Sequence, residues 1–308
     1  MQSNRFAPSL LEDTPQQPKV SVCVVTYNQE AYIEKCLMSL VEQEVNFEYE
    51  IIVGEDCSTD GTRAVVERIA KIYPQKIKLV LQEKNIGSSE NYKSVYHLTR
   101  GKYIAHMDGD DYALPGKLQA QYDILEAEPE CNIVWHKMLI EYPDGRITKG
   151  GPTIADDELR GKKFRRPDIM QFISIGGNSS KMHRKIDGEL GWPPFDVLDY
   201  SVNVAQIGAG YAKVIPSIYG VYRSGIGISA SGVKVKYLLG RTFEWLSVEF
   251  PEYKAEVNTA CLTYLVADLV NGRKTALLFA KIWLRNFHPL SIFKFISGYR
   301  FMRSLVAR

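Results

Sequence analysis

The sequence predicts a doubly wound, mostly parallel α/β sheet, Rossmann-like in its first half and extended by helices at its C-terminal end. Three observations predict it. Short, β-branched, nearly all-apolar runs recur through the first 140 residues, the pattern of strands buried on both faces. Segments with helical spacing separate them, so each strand–helix–strand unit reads as a right-handed crossover. From about residue 234 the apolar spacing becomes helical and stays so.

Each element has its own signal. Val20–Thr26 (VSVCVVT) is the first buried strand, and 28–42 follows as a helix with Ile33, Leu37, Leu40 and Val41 on one face. Residues 50–54 (EIIVG) form the second strand, and 60–73 a helix that Pro74 stops. The third strand is Ile77–Leu81; the helix over 90–99 is expected to end with Gly101 at its C′ position. A fourth strand spans 102–107, a helix with proline at its start spans 115–127, and another strand spans 133–140. After about residue 145 the alternation fades. Residues 150–167 read as loop, with a basic cluster of Arg160, Lys162, Lys163, Arg165 and Arg166. These patterns divide the chain into a flexible leader (1–18), a body (19–232, with halves 19–125 and 126–232) and a helical basic region (233–308).

Composition sets bounds. At 308 residues, 45% hydrophobic and 24% charged, the chain is an ordinary globular protein, which excludes wholesale disorder and a small disulfide scaffold. The five cysteines are odd in number, scattered and without a C-x-x-C, so they read as reduced thiols of a cytosolic protein with no zinc site. The N-terminal residues lack the apolar core of a secretory signal, and no run approaches 18 uninterrupted apolar residues. The net charge of +2 hides an asymmetry: residues 1–270 carry −6, while 271–308 carry eight basic residues and no acidic one.

Ligands of open α/β sheets bind beyond the carboxyl ends of the strands. There the first strand delivers Thr26-Tyr27-Asn28, the second Glu55-Asp56-Cys57-Ser58-Thr59-Asp60-Gly61, and the fourth Asp108-Gly109-Asp110-Asp111. Six carboxylates gathered at one edge repel unless something cationic binds. Mg²⁺ or Mn²⁺, held by one or two carboxylates plus phosphate oxygens, meets that need. Ser58 through Gly61 read equally well as turn and helix-start chemistry.

The blocks VSVCVVTYNQEAYIEKCLMSL, IIVGEDCSTDGT, NIGSSENY and GKYIAHMDGDDYALPGKL resemble, in order and spacing over about residues 19–120, the donor half of family-2 inverting glycosyltransferases. The resemblance continues more weakly to about residue 230. It implies a GT-A fold and a nucleotide-sugar donor, with UDP expected, and a saccharide or lipid-linked saccharide acceptor in bacterial surface polysaccharide assembly. It places Thr26, Tyr27 and Asn28 at the base, with Glu30 two positions on. It puts Asp56 in a hydrogen bond to the base and Asn91 on a helix bordering the nucleotide. Asp108-Gly109-Asp110 matches the DXD motif, with Asp108 near ribose and diphosphate and Asp110 on the metal; Asp111 holds a metal-bound water or orients the loop. Asp199, in Leu198-Asp199 ahead of a helix, matches the family's general base, with Asp196 the competitor and helix capping the bland alternative. In Ser179-Ser180-Lys181-Met182-His183-Arg184, either His183 or Arg184 meets phosphate, or the segment is a surface strand. Trp192 through Phe195 stacks on an acceptor sugar or belongs to the core.

Three departures stand out. Glu55 replaces a frequent Asp, Cys57 a frequent Gly, and no histidine occupies 222–229, where many members bring one toward the metal; water or Arg223 is left to serve the diphosphate. Two other readings stay open. One is a nucleotidyltransferase, though neither G-x-G-x-x-G nor a Lys-rich phosphate loop is present. The other is a non-catalytic member that binds sugar nucleotide or membrane.

The basic region interleaves Phe279, Trp283, Phe287, Phe293, Phe295, Tyr299 and Phe301 with its cations. Such a segment either meets an anionic membrane from the cytoplasmic side or packs on the body. No nucleic-acid-binding module accompanies the cations, and none is expected as a partner.

Overall fold

A computed structural model describes residues 17–150, 156–173, 175–186, 191–225 and 232–306, with side chains described to residue 299. The leader lies almost wholly outside these residues.

The first half alternates as expected: β1 (Val20–Thr26), α1 (Ile33–Val41), β2 (Tyr49–Glu55), α2 (Thr62–Ile72), β3 (Ile77–Leu81), α3 (Ser88–Tyr96) and β4 (Tyr103–Asp108). Strands β1 and β2 are buried almost throughout, which is why they carry no polar alternation. Helix α1 buries Ile33, Cys36, Leu37, Leu40 and Val41, a spacing of three and four residues that lays one stripe on the sheet. At about 1.5–3 kcal/mol for each fully buried aliphatic side chain, that stripe holds α1 more firmly than helix propensity would.

The second half is β5 (Tyr112–Ala113), α4 (Lys117–Ala127), β6 (Cys131–Glu141), β7 (Ile147–Gly150), α5 (Asp156–Gly161), α6 (Arg166–Phe172), β8 (Met182–Arg184), α7 (Asp199–Gln206) and β9 (Tyr211–Arg223). Helices α8 (Val233–Glu249), α9 (Lys254–Val270), α10 (Ala276–Arg285) and α11 (Leu290–Val306) complete the chain.

One sheet runs through both halves in the order β3-β2-β1-β4-β8-β6-β9-β5, with β7 on β6. From β3 to β4 every pair is parallel. Beyond β4 the sheet is mixed: β8 runs antiparallel to β4 and β6, while β6 and β9 are parallel. The short β8 therefore welds the parallel half to the mixed half, one strand away from the end of β4.

Three details differ from the sequence expectation. The stretch 150–167, read as loop, holds the short helix α5 over Asp156–Gly161. Gly101 is not a helix C′ residue, since α3 ends at Tyr96. Instead Gly101 lies against β1, where a β-carbon would come 2.5 Å from the Ser21 nitrogen. The C-terminal helices also share one core with the second half: Ile133, Trp135, Phe164, Ile169 and Val204 pack with Phe243, Leu246, Cys261, Phe279 and Ile282. The change of pattern near residue 233 is thus not a boundary between cores. Among the described residues no helix is long and apolar enough to cross a membrane.

Candidate active site

The ends of β1 and β2 are tied together by side chains. Asn28, at φ +52°, accepts the Thr59 N–H on its Oδ1 at 2.8 Å, and its own N–H donates to Ser58 Oγ at 3.0 Å. Asparagine tolerates that left-handed backbone better than most residues. Glu30 Oε2 accepts the Gly61 N–H at 2.9 Å, while the Glu30 N–H donates to Asp60 Oδ2 at 3.1 Å. Buried Thr26 donates its hydroxyl to Gln29 Oε1 at 2.8 Å. Tyr27, by contrast, leaves its ring 42% exposed beside these loops.

A cation is not what gathers all six carboxylates. Three of them are satisfied by the protein itself. Fully buried Glu55 pairs with Arg63 Nε and accepts the Ser58 N–H at 2.6 Å. Asp56 receives the Ile86 and Gly87 N–H groups on its two oxygens, at 2.8 and 2.9 Å, and so fastens the loop before α3. Asp60 accepts from Thr62 and Glu30, which holds its carboxyl below the usual range although burial works the other way. Ser58 through Gly61 are thus turn and helix-start chemistry. Cys57 sits among them at φ +58°, where a residue with a β-carbon costs on the order of 1 kcal/mol more than glycine.

Asn91 is buried rather than presented to the cleft. It is 1% exposed, and its amide donates to the Gly54 carbonyl at 2.9 Å, pinning α3 to β2. The close packing there shows in Gly54, whose hypothetical β-carbon would lie 2.6 Å from Asn91 Oδ1.

The other three carboxylates stand at and just beyond the end of β4. Asp108 Oδ1 lies 2.9 Å from His106 Nε2, and the Asp108 N–H donates to Ser179 Oγ at 3.0 Å. Burial opposes the charge, but His106, Ser179 and Lys181 outweigh it and hold the Asp108 carboxyl below the usual range. Asp110 goes the other way: burial first, then the neighbouring Asp108, push it up to about 6. Asp111 is fully buried; its Oδ1 accepts the Arg223 N–H at 2.9 Å, and its Oδ2 has no hydrogen-bond partner among the described residues. Arg223 donates to the Asp110 carbonyl and stacks between the rings of Tyr32 and Tyr112, each 4.9 Å away. Its guanidinium therefore holds the acidic loop in place.

The facing wall is α7. Asp199 opens it, without a side-chain capping bond to the helix. Solvent reaches Asp199, yet protein crowds it closely enough that desolvation raises its carboxyl above the ordinary value, with Lys181 pulling it back down. Asp196, three residues earlier, is also exposed, on the segment that Val197 anchors by donating its N–H to Ser89 Oγ at 3.2 Å.

His183 and Arg184 are structural. His183 is fully buried beside Gln206, and burial pushes its ring down to about 3, so it stays neutral. Arg184 donates to the carbonyls of Leu125, Glu128 and Cys131, closing the end of α4. The residue of that segment that joins the site is Lys181, 1% exposed and hydrogen-bonded to Asn203 on α7 at 3.0 Å. The alternation in Lys181-Met182-His183 carried the signal, because Met182 enters the main core and Lys181 faces the other way. Trp192 stacks on Tyr92 at 5.9 Å as part of an aromatic cluster with Tyr96.

Among the described residues no group of three His, Cys, Asp or Glu side chains is arranged to hold a metal ion alone. The donors that remain fit a hard divalent cation all the same. Asp108 and Asp110 are close enough to repel, and such an ion takes one or two carboxylates and completes its shell with phosphate and water.

The profile of glycosyl transferase family 2 matches residues 21–183. An uncharacterized protein of Mycobacterium tuberculosis (strain H37Rv) is 37% identical over 215 residues, 66% of this chain and 58% of its own length. The chain thus spans somewhat over half the length of these curated relatives. The crystal structure of S. aureus TarS in complex with UDP-GlcNAc superposes with a TM-score of 0.65 at 19% identity, covering 93% of this chain and 90% of that one. A mannosyltransferase from Pyrobaculum calidifontis in complex with GDP-Man and Mn²⁺ gives 0.54 at 18%, covering 95% and 87%. These similarities establish the fold as that of GT-A glycosyltransferases.

Proposed function

The chain belongs to glycosyl transferase family 2, and from that premise we propose that it transfers a sugar, with inversion, from a nucleotide-sugar donor to a saccharide or lipid-linked saccharide acceptor. The observation that carries the reading is one electrostatic site shared by two distant segments. Lys181 accepts the His106 N–H of β4 on its carbonyl at 3.1 Å and donates from its Nζ to Asn203 of α7 at 3.0 Å, so the strand that ends in Asp108 and the helix that Asp199 opens meet at one buried cation. A donor-side carboxylate and an acceptor-side base need that arrangement.

The donor lies over the ends of β1, β2 and β4, in the half formed by 19–125. Tyr27 offers its exposed ring to the base, and the loops held by Thr26, Asn28, Glu30 and Asp56 frame it. Asn91 supports that frame from beneath. Asp110 with Asp108 would hold Mg²⁺ or Mn²⁺, and Asp111 would keep their loop in register through Arg223. When bound, such an ion neutralises charge growing on the departing diphosphate. The acceptor enters from the 126–232 half. Asp199 takes the proton of its hydroxyl; the oxygen's electron pair forms the new bond to the anomeric carbon. The bond from that carbon to the phosphate oxygen breaks on the opposite side, and its electron pair leaves with the nucleoside diphosphate. A well-placed base contributes about 10²–10⁴-fold.

A UDP-sugar is the first donor to try, since the TarS structure holds UDP-GlcNAc, and GDP-sugars are the second, since the mannosyltransferase holds GDP-Man. We place the 271–308 segment at an anionic membrane on its cytoplasmic side, because Phe293 and Ile296 are each 69% exposed on a helix rich in cations. The test of the main reading is nucleoside diphosphate release from a panel of both donor types with divalent metal. Wild-type turnover that falls at least 100-fold in Asp199→Asn is expected. Unchanged turnover in that variant would overturn the assignment of the base, and donor binding without any turnover would favour the non-catalytic alternative.

A further inference from the structure

We infer that Lys181 is a positioning residue for Asp199: its buried ammonium bridges the donor strand and the acceptor helix and keeps the base ionised and in place. The inference rests on the reading of Asp199 as the base. The geometry starts from the backbone. The His106 N–H donates to the Lys181 carbonyl at 3.1 Å, and Met182 pairs with Ala105, so Lys181 is fixed against β4 just ahead of Asp108. Met182 goes into the main core, which sends the Lys181 side chain to the opposite face of the sheet, toward α7. There its Nζ meets Asn203 Oδ1 at 3.0 Å. Asn203 is four residues after Asp199 on the same helix, so the two share a face.

A buried ammonium whose hydrogen-bonded partner is a neutral amide needs counter-charge nearby. Asp199 is the larger source and Asp108 the smaller, and they offset the burial that takes Lys181 down to about 8. The groups that act on Asp199 are Lys181 and His106, which favour its ionised form, and Asp108, which opposes it; Tyr92 also feels its charge. Lys181 is the foremost of the favourable ones. Being 1% exposed, it acts through Asp199 and does not reach a substrate itself. The arrangement also couples the two half-sites, because a single cation answers to a donor carboxylate and an acceptor carboxylate.

The test is the pH dependence of kcat/KM, read as nucleoside diphosphate release with the best donor of the panel. Lys181→Gln drops the charge but retains a donor for Asn203; Lys181→Met is the second neutral variant should the first not fold; Lys181→Arg keeps the charge. The acid limb is expected to move up by about one pH unit or more in the neutral variants, the effect of removing a nearby opposite charge, and to stay near the wild-type position in Lys181→Arg. An acid limb that coincides with wild type in a folded neutral variant overturns the inference. Asp199→Asn separates the two failures. If it abolishes turnover while the Lys181 limb is unmoved, only the role of Lys181 is wrong; if it turns over like wild type, the base itself is misassigned.

Discussion

Gly109 lies so close to Thr26 that a β-carbon on it would come 2.8 Å from Thr26 Oγ1, and 2.5 Å from Gln29 Oε1. The acidic loop after β4 is therefore seated directly on the end of β1, and its N–H donates to the Val25 carbonyl at 2.9 Å to hold it there. Gly109→Ala has no room without displacing either the loop or the Thr26–Gln29 pair. A shift of about 1 Å at a reacting centre can cost on the order of 100-fold in rate. We expect Gly109→Ala to lose turnover by that order while its melting temperature falls only a few degrees. Turnover within a few-fold of wild type would show that the loop does not set the donor geometry.

The carboxylates of that loop divide by burial and partners. In the proposed site Asp110 serves the cation, whereas Asp111 gives one oxygen to the Arg223 N–H and is fully buried. Asp110→Asn is expected to weaken Mn²⁺ binding more than tenfold, measured by electron paramagnetic resonance in the presence of nucleoside diphosphate. Asp111→Asn retains an oxygen for the Arg223 N–H and should leave Mn²⁺ affinity within a few-fold. Equal loss in both variants would place Asp111 on the metal.

Stability has its own carboxylate. Glu50 lies almost fully buried under the sheet edge and accepts from Ser21 Oγ, Lys78 Nζ and the Arg100 guanidinium at 2.7, 2.7 and 2.9 Å. Burial alone would raise its carboxyl, but the bonds from Lys78, Ser21 and Arg100 outweigh it and the folded value is lowered. A lowered folded value means stability that is fully present above the ordinary value of 4.5 and lost as pH falls from there through the folded one. Glu50→Gln should cost about 2 kcal/mol at pH 7, discounted for the half-exposed Lys78 and Arg100. The gap from wild type should close in urea melts at acid pH. A gap that is constant with pH would mean that shape, not charge, is what Glu50 supplies.

Much of this was legible in the chain, for physical reasons that differ by residue. Val20–Thr26 is buried almost throughout, and Ile77–Leu81, the half-exposed edge strand, still buries Ile77 and keeps an apolar run, so the pattern alone located both. Helix starts came out later than the spacing suggests: α1 begins at Ile33 because Asn28, Gln29 and Glu30 bond across to the 58–62 loop instead of opening the helix. The acidic loop could be read because its neighbours in sequence are also its neighbours in space. The commitment of Glu55, Asp56 and Asn91 to internal bonds could not, since their partners Arg63, Gly87 and Gly54 are set by folding. Lys181 was legible only in part: the alternation around Met182 turns it away from the main core, but only pairing with β4 and contact with α7 make it buried.

The C-terminal helices can be dissected by burial. On α10, Phe279 is fully buried in the core shared with the second half, while Leu284 is 65% exposed. On α11, Phe293 and Ile296 face outward, while Lys294 pairs with Glu256 at 3.0 Å and its carbonyl accepts from Gln171. Removing the whole region would therefore unfold the protein rather than report on a surface. Phe279→Ala should cost about 3–5 kcal/mol, seen as a lower urea midpoint. The double change Phe293→Glu with Ile296→Glu should leave the midpoint nearly unchanged, because both side chains already meet water. If the outward face seats on anionic lipid, that double variant should fail to sediment with phosphatidylglycerol vesicles that carry down the wild type, and neither protein should sediment with phosphatidylcholine vesicles. Added salt should also release the wild type, since attraction of about 1 kcal/mol per basic residue near the surface is screened within a Debye length. Sedimentation of the folded double variant at the wild-type level would remove the apolar face from any membrane role.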